Sequence, residues 1–474
     1  MKRRNALKSF SLVALPGLLA ACGPGDSATP SPPPPAPSPA DRWTAGSLLN
    51  AGSFGAGTPS LTLQADGTDR MLALTGPGSE SLAFAINSAA GSALTLQRPT
   101  SYANIFAAVP NMSGGMLWIW QVDGGAGVQQ LLYALSDGTS GQIGVTRTLP
   151  VLPAPSLQAK VMAQDANGNA LVRWASGPLD SAGQPTQGGL LRFISATQAW
   201  SALPLPNALA SPNLLANSGA VFDSNGRAWL IQPTPGTAAG EWTLVLYSLV
   251  SGASGWTVGP QVPASTPRAS AFQMVIDGKN RLVVAHSPSN GSTLSVSRFD
   301  PNGTGWSDLP APTLSSQGYR LSVDAPGNLW ALGTTSAARY DNASSSWTGP
   351  KNFDFTPADA QQGNGEWPLA LAADSLGNTW AVGVRRKAAG QDLPVLWINL
   401  FSATTRQWSE AGSLAVQGGD NSAFVQPSQG LGPTFQVALG LDTQNRPVAA
   451  VTEILRASAS SYQARTWIAR GQSA

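Results

Sequence analysis

The chain reads as an all-β protein: a β-propeller, most simply of eight four-stranded blades with seven as the alternative count, closed into a ring by an N-terminal strand. Three observations point there. Gly (51) and Pro (38) are abundant while only 11% of residues are charged, which suits many short strands joined by turns. No long stretch keeps the apolar period of 3.6 residues that a helix needs. A unit of about 50 residues recurs along the chain, the length of one propeller blade.

The segment 1–21 comes first. Lys2, Arg3, Arg4 and Lys8 precede an apolar run from Phe10 to Ala21, the pattern of an export signal. At about a dozen residues it is shorter than the roughly 20 a membrane span requires. Leu19-Ala20-Ala21-Cys22 resembles the lipobox of bacterial lipoproteins, which implies cleavage before Cys22, acylation of its thiol and a stable lipid anchor in the membrane. Gly23 follows where Asp would favour inner-membrane retention, so the resemblance implies the outer membrane. Arg3-Arg4-Asn5-Ala6-Leu7-Lys8 is similar to a twin-arginine signal, and ordinary basic signal residues read the same way. Residues 22–41 then carry the lipidated Cys22 and a run rich in Pro, Ser and Ala, including Pro32 to Pro35 in a row. Such a run favours extended polyproline II and serves as a semi-rigid tether.

Cys22 is the only cysteine, so disulfides and Cys-ligated metal clusters are ruled out within the chain. Loss of the signal lowers the 27 basic residues to 23 against 25 acidic ones, turning a net charge of +2 into −2. That leaves no basic footprint for nucleic acid.

Residues 42–474 form the propeller. The recurring element is an alternating apolar strand, an Asp, Gly or Asn three residues later, and a second strand. Six copies stand at Asp165 to Gly168, Asp223 to Gly226, Asp277 to Asn280, Asp324 to Gly327, Asp374 to Gly377 and Asp442 to Asn445. Gly and Asn tolerate a left-handed backbone, and Asp bonds the turn's own amides. Trp229, Trp330 and Trp380 open second strands, and Trp200, Trp256, Trp306, Trp347 and Trp408 open fourth strands. Two earlier units, near Leu61 to Arg98 and Ile105 to Leu149, keep the rhythm without the fourth-strand Trp. The last unit ends on its third strand at Thr466-Trp467-Ile468. Arg42-Trp43-Thr44-Ala45-Gly46-Ser47-Leu48 matches the fourth strand Gln407-Trp408-Ser409-Glu410-Ala411-Gly412-Ser413-Leu414, so the N-terminal strand supplies what the last blade lacks and covers its edge.

The units, best seen in Leu321-Ser322-Val323-Asp324-Ala325-Pro326-Gly327-Asn328-Leu329-Trp330 with Arg339-Tyr340-Asp341, resemble bacterial propeller repeats of the kelch-like, regulator-propeller and tectonin-like kinds. The kelch double Gly is missing. Asp300-Pro301-Asn302-Gly303 with Trp306 is similar to a sialidase Asp-box, which implies a structural turn.

Chemistry is sparse. His286 is the only histidine and lies at a strand end with no marked partner, so a His-based triad is unsupported; a virginiamycin-lyase-like activity, which a propeller of that kind runs with His, has only this residue to use. His and Cys are too few for a zinc site, and no metal or cofactor motif is present. A sialidase needs converging arginines and a Tyr nucleophile, but Arg320, Arg339 and Tyr340 recur inside blade strands. Loop lengths say more. The connections on one face are short turns, while segments 176–189, 232–242, 351–367, 385–393 and 417–433 belong to the other. Elaborated faces carry binding sites, which makes Trp242, Asp354, Asp359, Glu366, Trp367, Arg385, Arg386, Lys387, Asp392, Asp420 and Asn421 candidate contacts. The expectation is a non-enzymatic binding or scaffolding module for a protein or glycan. The alternatives are a polysaccharide-active hydrolase or lyase working with carboxylates and an assembly factor for outer-membrane proteins.

Overall fold

The computed structural model describes residues 43–472 apart from short connections and the longer segments 207–217, 287–294, 353–368 and 416–433; in the first blade most residues are described by backbone alone. The chain divides into two units at Ala36 and Pro37. Met1 to Ala36 lies outside the described residues, and every described strand belongs to the second unit.

Eight antiparallel sheets make up the fold. The chain is a β-propeller. Blades 1 to 7 occupy residues 60–96, 104–148, 158–203, 219–261, 272–309, 320–352 and 369–415. Each runs first, second, third, fourth strand in sheet order. In blade 7 the fourth strand is broken into Gln407–Ser409 and Ser413–Ala415, both paired with the third strand Pro394–Ser402. Blade 8 takes three strands from the C-terminal end (Thr434–Leu441, Pro447–Ser458, Ser461–Gly471) and its outermost strand, Trp43–Phe54, from the N-terminal end. Trp43 pairs with Gly471 and Phe54 with Tyr462. First strands lie innermost and side by side: that of blade 3 is next to those of blades 2 and 4, and that of blade 8 touches those of blades 7 and 1.

The Asp units form the turns between first and second strands for a hydrogen-bonding reason. In blade 5, Asn280 N–H donates to the Asp277 carbonyl at 2.8 Å. Oδ1 of Asp277 accepts the N–H groups of Lys279 and Arg281 at 2.9 and 3.0 Å, and Oδ2 takes the Arg281 guanidinium. The fourth residue of the turn has φ of +59° to +87° in all six copies, which Gly and Asn tolerate best.

Burial is distributed between blades rather than gathered into one centre. Among the described residues every large apolar cluster bridges neighbouring sheets. Trp229, Ile231 and Leu246 of blade 4 meet Leu282 and Val284 of blade 5; Trp330 and Leu332 of blade 6 meet Ala381 and Phe401 of blade 7; Trp380 and Ile398 of blade 7 meet Trp43, Val451 and Trp467 of blade 8. Alternate residues of each second strand face opposite neighbours, so the strands read as unbroken apolar runs such as Leu282 to Ala285. Each such side chain contributes about 1.5–3 kcal/mol.

A further bond links blades at the rim. Trp256 Nε1–H donates to the Pro204 carbonyl at 2.9 Å, Trp306 to Pro260 at 3.3 Å and Trp347 to Pro310 at 2.6 Å. In each case the Trp at the start of one blade's fourth strand reaches a Pro at or next to the far end of the fourth strand of the blade before it.

Candidate functional site

Of the long segments the sequence singles out, 351–367 and 417–433 lie almost wholly outside the described residues, and the other three are described only at their strand ends. On the turn face the six Asp units are internally satisfied and adjacent turns touch: Gly278 N–H donates to the Gly327 carbonyl at 2.9 Å, linking blades 5 and 6. On the opposite face, parts of the long second-to-third connections are paired strand. In blade 3, Ser176 pairs with Gln187 and Leu179 with Pro185. In blade 4, Gln232 pairs with Val245 and Pro235 with Trp242. In blade 7, Arg385 pairs with Val395 and Arg386 with Pro394. Backbone groups that a loop would leave to water are thus paired. Blade 2 adds a hairpin that loop length does not reveal, from Gly115–Gly125 into Val128–Ser136. Its Gly124-Gly125-Ala126-Gly127 tip is the signal that marks it.

Among the predicted contacts, Trp242 is half-buried at the start of its strand and exchanges backbone hydrogen bonds with Thr266 at 2.8 Å in both directions. Arg385 and Arg386 occupy the end of the blade 7 second strand, Thr379–Arg386. Asp354, Asp359, Glu366, Trp367, Lys387, Asp392, Asp420, Asn421 and the lipidation residue Cys22 lie outside the described residues. The repeated Trp are packing residues: Trp200 lies tilted against Phe193 and edge-on to Tyr133, and Trp408 meets Phe401 and Trp330.

His286 is 1% exposed, at the end of the second strand of blade 5. Its Nε2 lies 3.3 Å from Ser297 Oγ, and that hydroxyl donates to Asp308 Oδ1 at 2.9 Å. Because the single Ser297 proton goes to Asp308, its oxygen can only accept from histidine, which places the imidazole proton on Nε2 and leaves Nδ1 bare. Nδ1 has no hydrogen-bond partner among the described residues. Burial lowers the imidazole pKa, opposed by the nearby Asp308 charge. A nucleophilic serine must hand its proton to histidine; here it hands it to the carboxylate, so the array is not a triad despite containing the three residue types. Sequence spacing could not reveal it, since the members sit on three strands.

Two cavities lie at the seam between blades 6 and 7. One, of about 270 Å³, opens between their first strands and includes Asp324 and Thr379. Both Asp324 oxygens are engaged, by Asn328 and by Trp330 Nε1–H, so it offers no free acid. The second, of about 220 Å³, contains Arg339, Asp341, Asn342 and Arg406. Among the described residues no group of three or more His, Cys, Asp or Glu is placed to hold a metal ion.

Comparison with protein-family models and with curated proteins returns no match. Solved structures do match. One is from a study of two prolyl endopeptidases, 12% identical, TM-score 0.46, covering 84% of this chain and 54% of the other. Another is prolyl oligopeptidase B from Galerina marginata, 11% identical, TM-score 0.46, with 85% and 56% covered. A third is the β-propeller domain of the Trilobed protease from Pyrococcus furiosus, 8% identical, TM-score 0.41, with 81% and 99% covered. The chain thus spans about half the length of the first two. At this identity and these scores no activity carries across, and the fold stands on this chain's own strand pairings.

Proposed function

We propose that this protein is an exported, lipid-anchored envelope protein whose propeller is a non-catalytic binding or scaffolding module, engaging a protein or glycan through the face of the long second-to-third connections. The observation that carries the reading is the asymmetry of the two faces. One carries near-identical Asp turns whose carboxylates are bonded within each turn; the other differs from blade to blade in length and chemistry, as recognition surfaces do. Anchoring rests on the apolar signal, the lipobox-like Leu19-Ala20-Ala21-Cys22 and the Pro-rich tether. Trp43 opens the outermost strand of blade 8 beside Gly471, at the turn-face end of that blade.

Photo-crosslinking in cells tests this. A photoreactive residue is placed at Ala126, exposed at the tip of the blade 2 hairpin, or at Asn225 or Lys279, exposed on turns of the other face. A discrete adduct from position 126 alone is the expected result. Adducts only from positions 225 and 279 would overturn the reading.

A further inference from the structure

We infer that the cleft between blades 6 and 7 on the turn face is a second binding site, for a single carboxylated sugar residue of an acidic glycan. It is independent of the long-connection face.

Elsewhere in the repeat, the third-strand arginine braces the next blade. Arg192, on the third strand of blade 3, is 7% exposed. It lies over the Phe222 ring of blade 4 at 5.7 Å and donates from its guanidinium to the carbonyl of the turn residue Gly226 at 3.1 Å. One nitrogen of that guanidinium is engaged by its neighbour's turn, and its Nε is buried without a partner among the described residues. Arg339 is its counterpart in blade 6, over the Phe401 ring of blade 7, also at 5.7 Å. There the equivalent turn carbonyl, of Gly377, accepts the Thr379 hydroxyl at 3.3 Å instead. The Arg339 guanidinium makes no hydrogen bond to any described residue, and it lines the cleft of about 220 Å³. Its position is fixed by the ring while its donors are left over.

The surroundings add to this. Arg406, 63% exposed, pairs with Asp341 at 3.1 Å. Asn342 Oδ1 already accepts from Arg281 and Arg298 at 3.1 and 3.0 Å, so the group Asn342 can offer a ligand is its NH₂. Two guanidinium groups and an amide donor therefore stand against one carboxylate, that of Asp341. A free guanidinium fork matches a carboxylate in two parallel hydrogen bonds. Asp341 and the Thr348 oxygen, both in the lining, are acceptors for sugar hydroxyls; the Thr348 proton itself goes to the Arg339 carbonyl at 3.3 Å. The cavity is below the roughly 300 Å³ at which drug-sized ligand pockets begin, a size for one ring rather than a length of peptide. An isolated acidic side chain would satisfy Arg339 and leave the hydroxyl partners idle, which is why a uronate fits better.

Calorimetric titration of the mature chain tests the assignment, with glucuronate and a short oligogalacturonate as probes and glucose, acetate and N-acetylglutamate as comparisons. Saturable binding of the uronates, at least about tenfold tighter than any comparison compound, is expected. Arg339→Gln should weaken it by about tenfold or more at an unchanged circular-dichroism spectrum and melting temperature. Arg406→Gln, at an exposed position, should weaken it about threefold and serves if the first variant fails to fold. Absence of saturable binding, acetate or N-acetylglutamate binding as tightly as glucuronate, or folded variants that bind unchanged would each overturn it.

Discussion

His286 shows how a residue that looks catalytic in the sequence can be structural in the fold and still leave a measurable trace. Its imidazole is enclosed among strands, bonded through Nε2 to Ser297 and so indirectly to Asp308. Burial favours the neutral ring and depresses its folded-state pKa. The unfolded chain, with an ordinary imidazole titrating near about 6.5, therefore binds the proton more readily than the folded one. Stability from this group is complete above the unfolded value and is lost as pH falls toward the folded value. We expect the urea midpoint to drop between about pH 7.5 and pH 5.5, and to drop less in His286→Gln, measured by tryptophan fluorescence. Equal drops in both proteins would show that other groups set the acid limit. His286 could be picked out of the sequence because it is the only histidine; its partners could not, because Ser297 and Asp308 belong to types that recur throughout and are joined only by cross-strand register.

At the scale of the blade, the sequence carries its architecture in a few positions. The Asp units were legible because a turn requiring a left-handed residue and an amide acceptor admits few solutions, and each copy forms the turn its residues predict. The rim Trp were legible as repeats, but their job was not. In Trp200-Ser-Ala-Leu-Pro204, Trp256-Thr-Val-Gly-Pro260 and Trp306-Ser-Asp-Leu-Pro310 the Pro that closes one blade offers a carbonyl to the Trp of the next, and having no N–H it also blunts an exposed sheet edge. The long connections misled in the other direction: segments that look like loops by composition are partly paired, because partners such as Pro235 and Trp242 are fixed by the hairpin register and not by local propensity. The latch can be tested without disturbing the core. Trp347→Phe keeps a ring against Tyr340, where the native pair stands 5.3 Å apart, but removes the bond to Pro310. A loss of about 0.5–1.5 kcal/mol is expected from chemical denaturation, against a larger loss for Trp347→Ala, which also empties the contact. A Phe variant as costly as the Ala variant would place the stabilisation in the indole's shape rather than its N–H.

For the whole molecule the decisive element is the strand that joins the two ends of the chain. A propeller whose blades were all made from consecutive strands would hold its ring shut through packing between the first and last sheets alone. Here Trp43–Phe54 completes the sheet of the last blade across a sequence separation of about 400 residues, the long-range kind of contact whose loop-closure entropy must be met before it forms. Trp43 is 6% exposed and stands edge-on to Trp380 of blade 7 at 5.9 Å, so the strand ties blade 8 to its neighbour as well as covering an edge. Deleting residues 1–54 should therefore do more harm than deleting residues 1–42. The shorter deletion is expected to remain monomeric with a single unfolding transition. The longer one should expose the Ser461–Gly471 edge and self-associate, read by light scattering, and a peptide of residues 43–54 added in excess should raise its melting temperature by occupying the vacant position. If the longer deletion melts like the shorter one and stays monomeric, packing between blades closes the ring without the strand. Such a result would reduce the pairing of chain ends to a matter of topology with no share in stability.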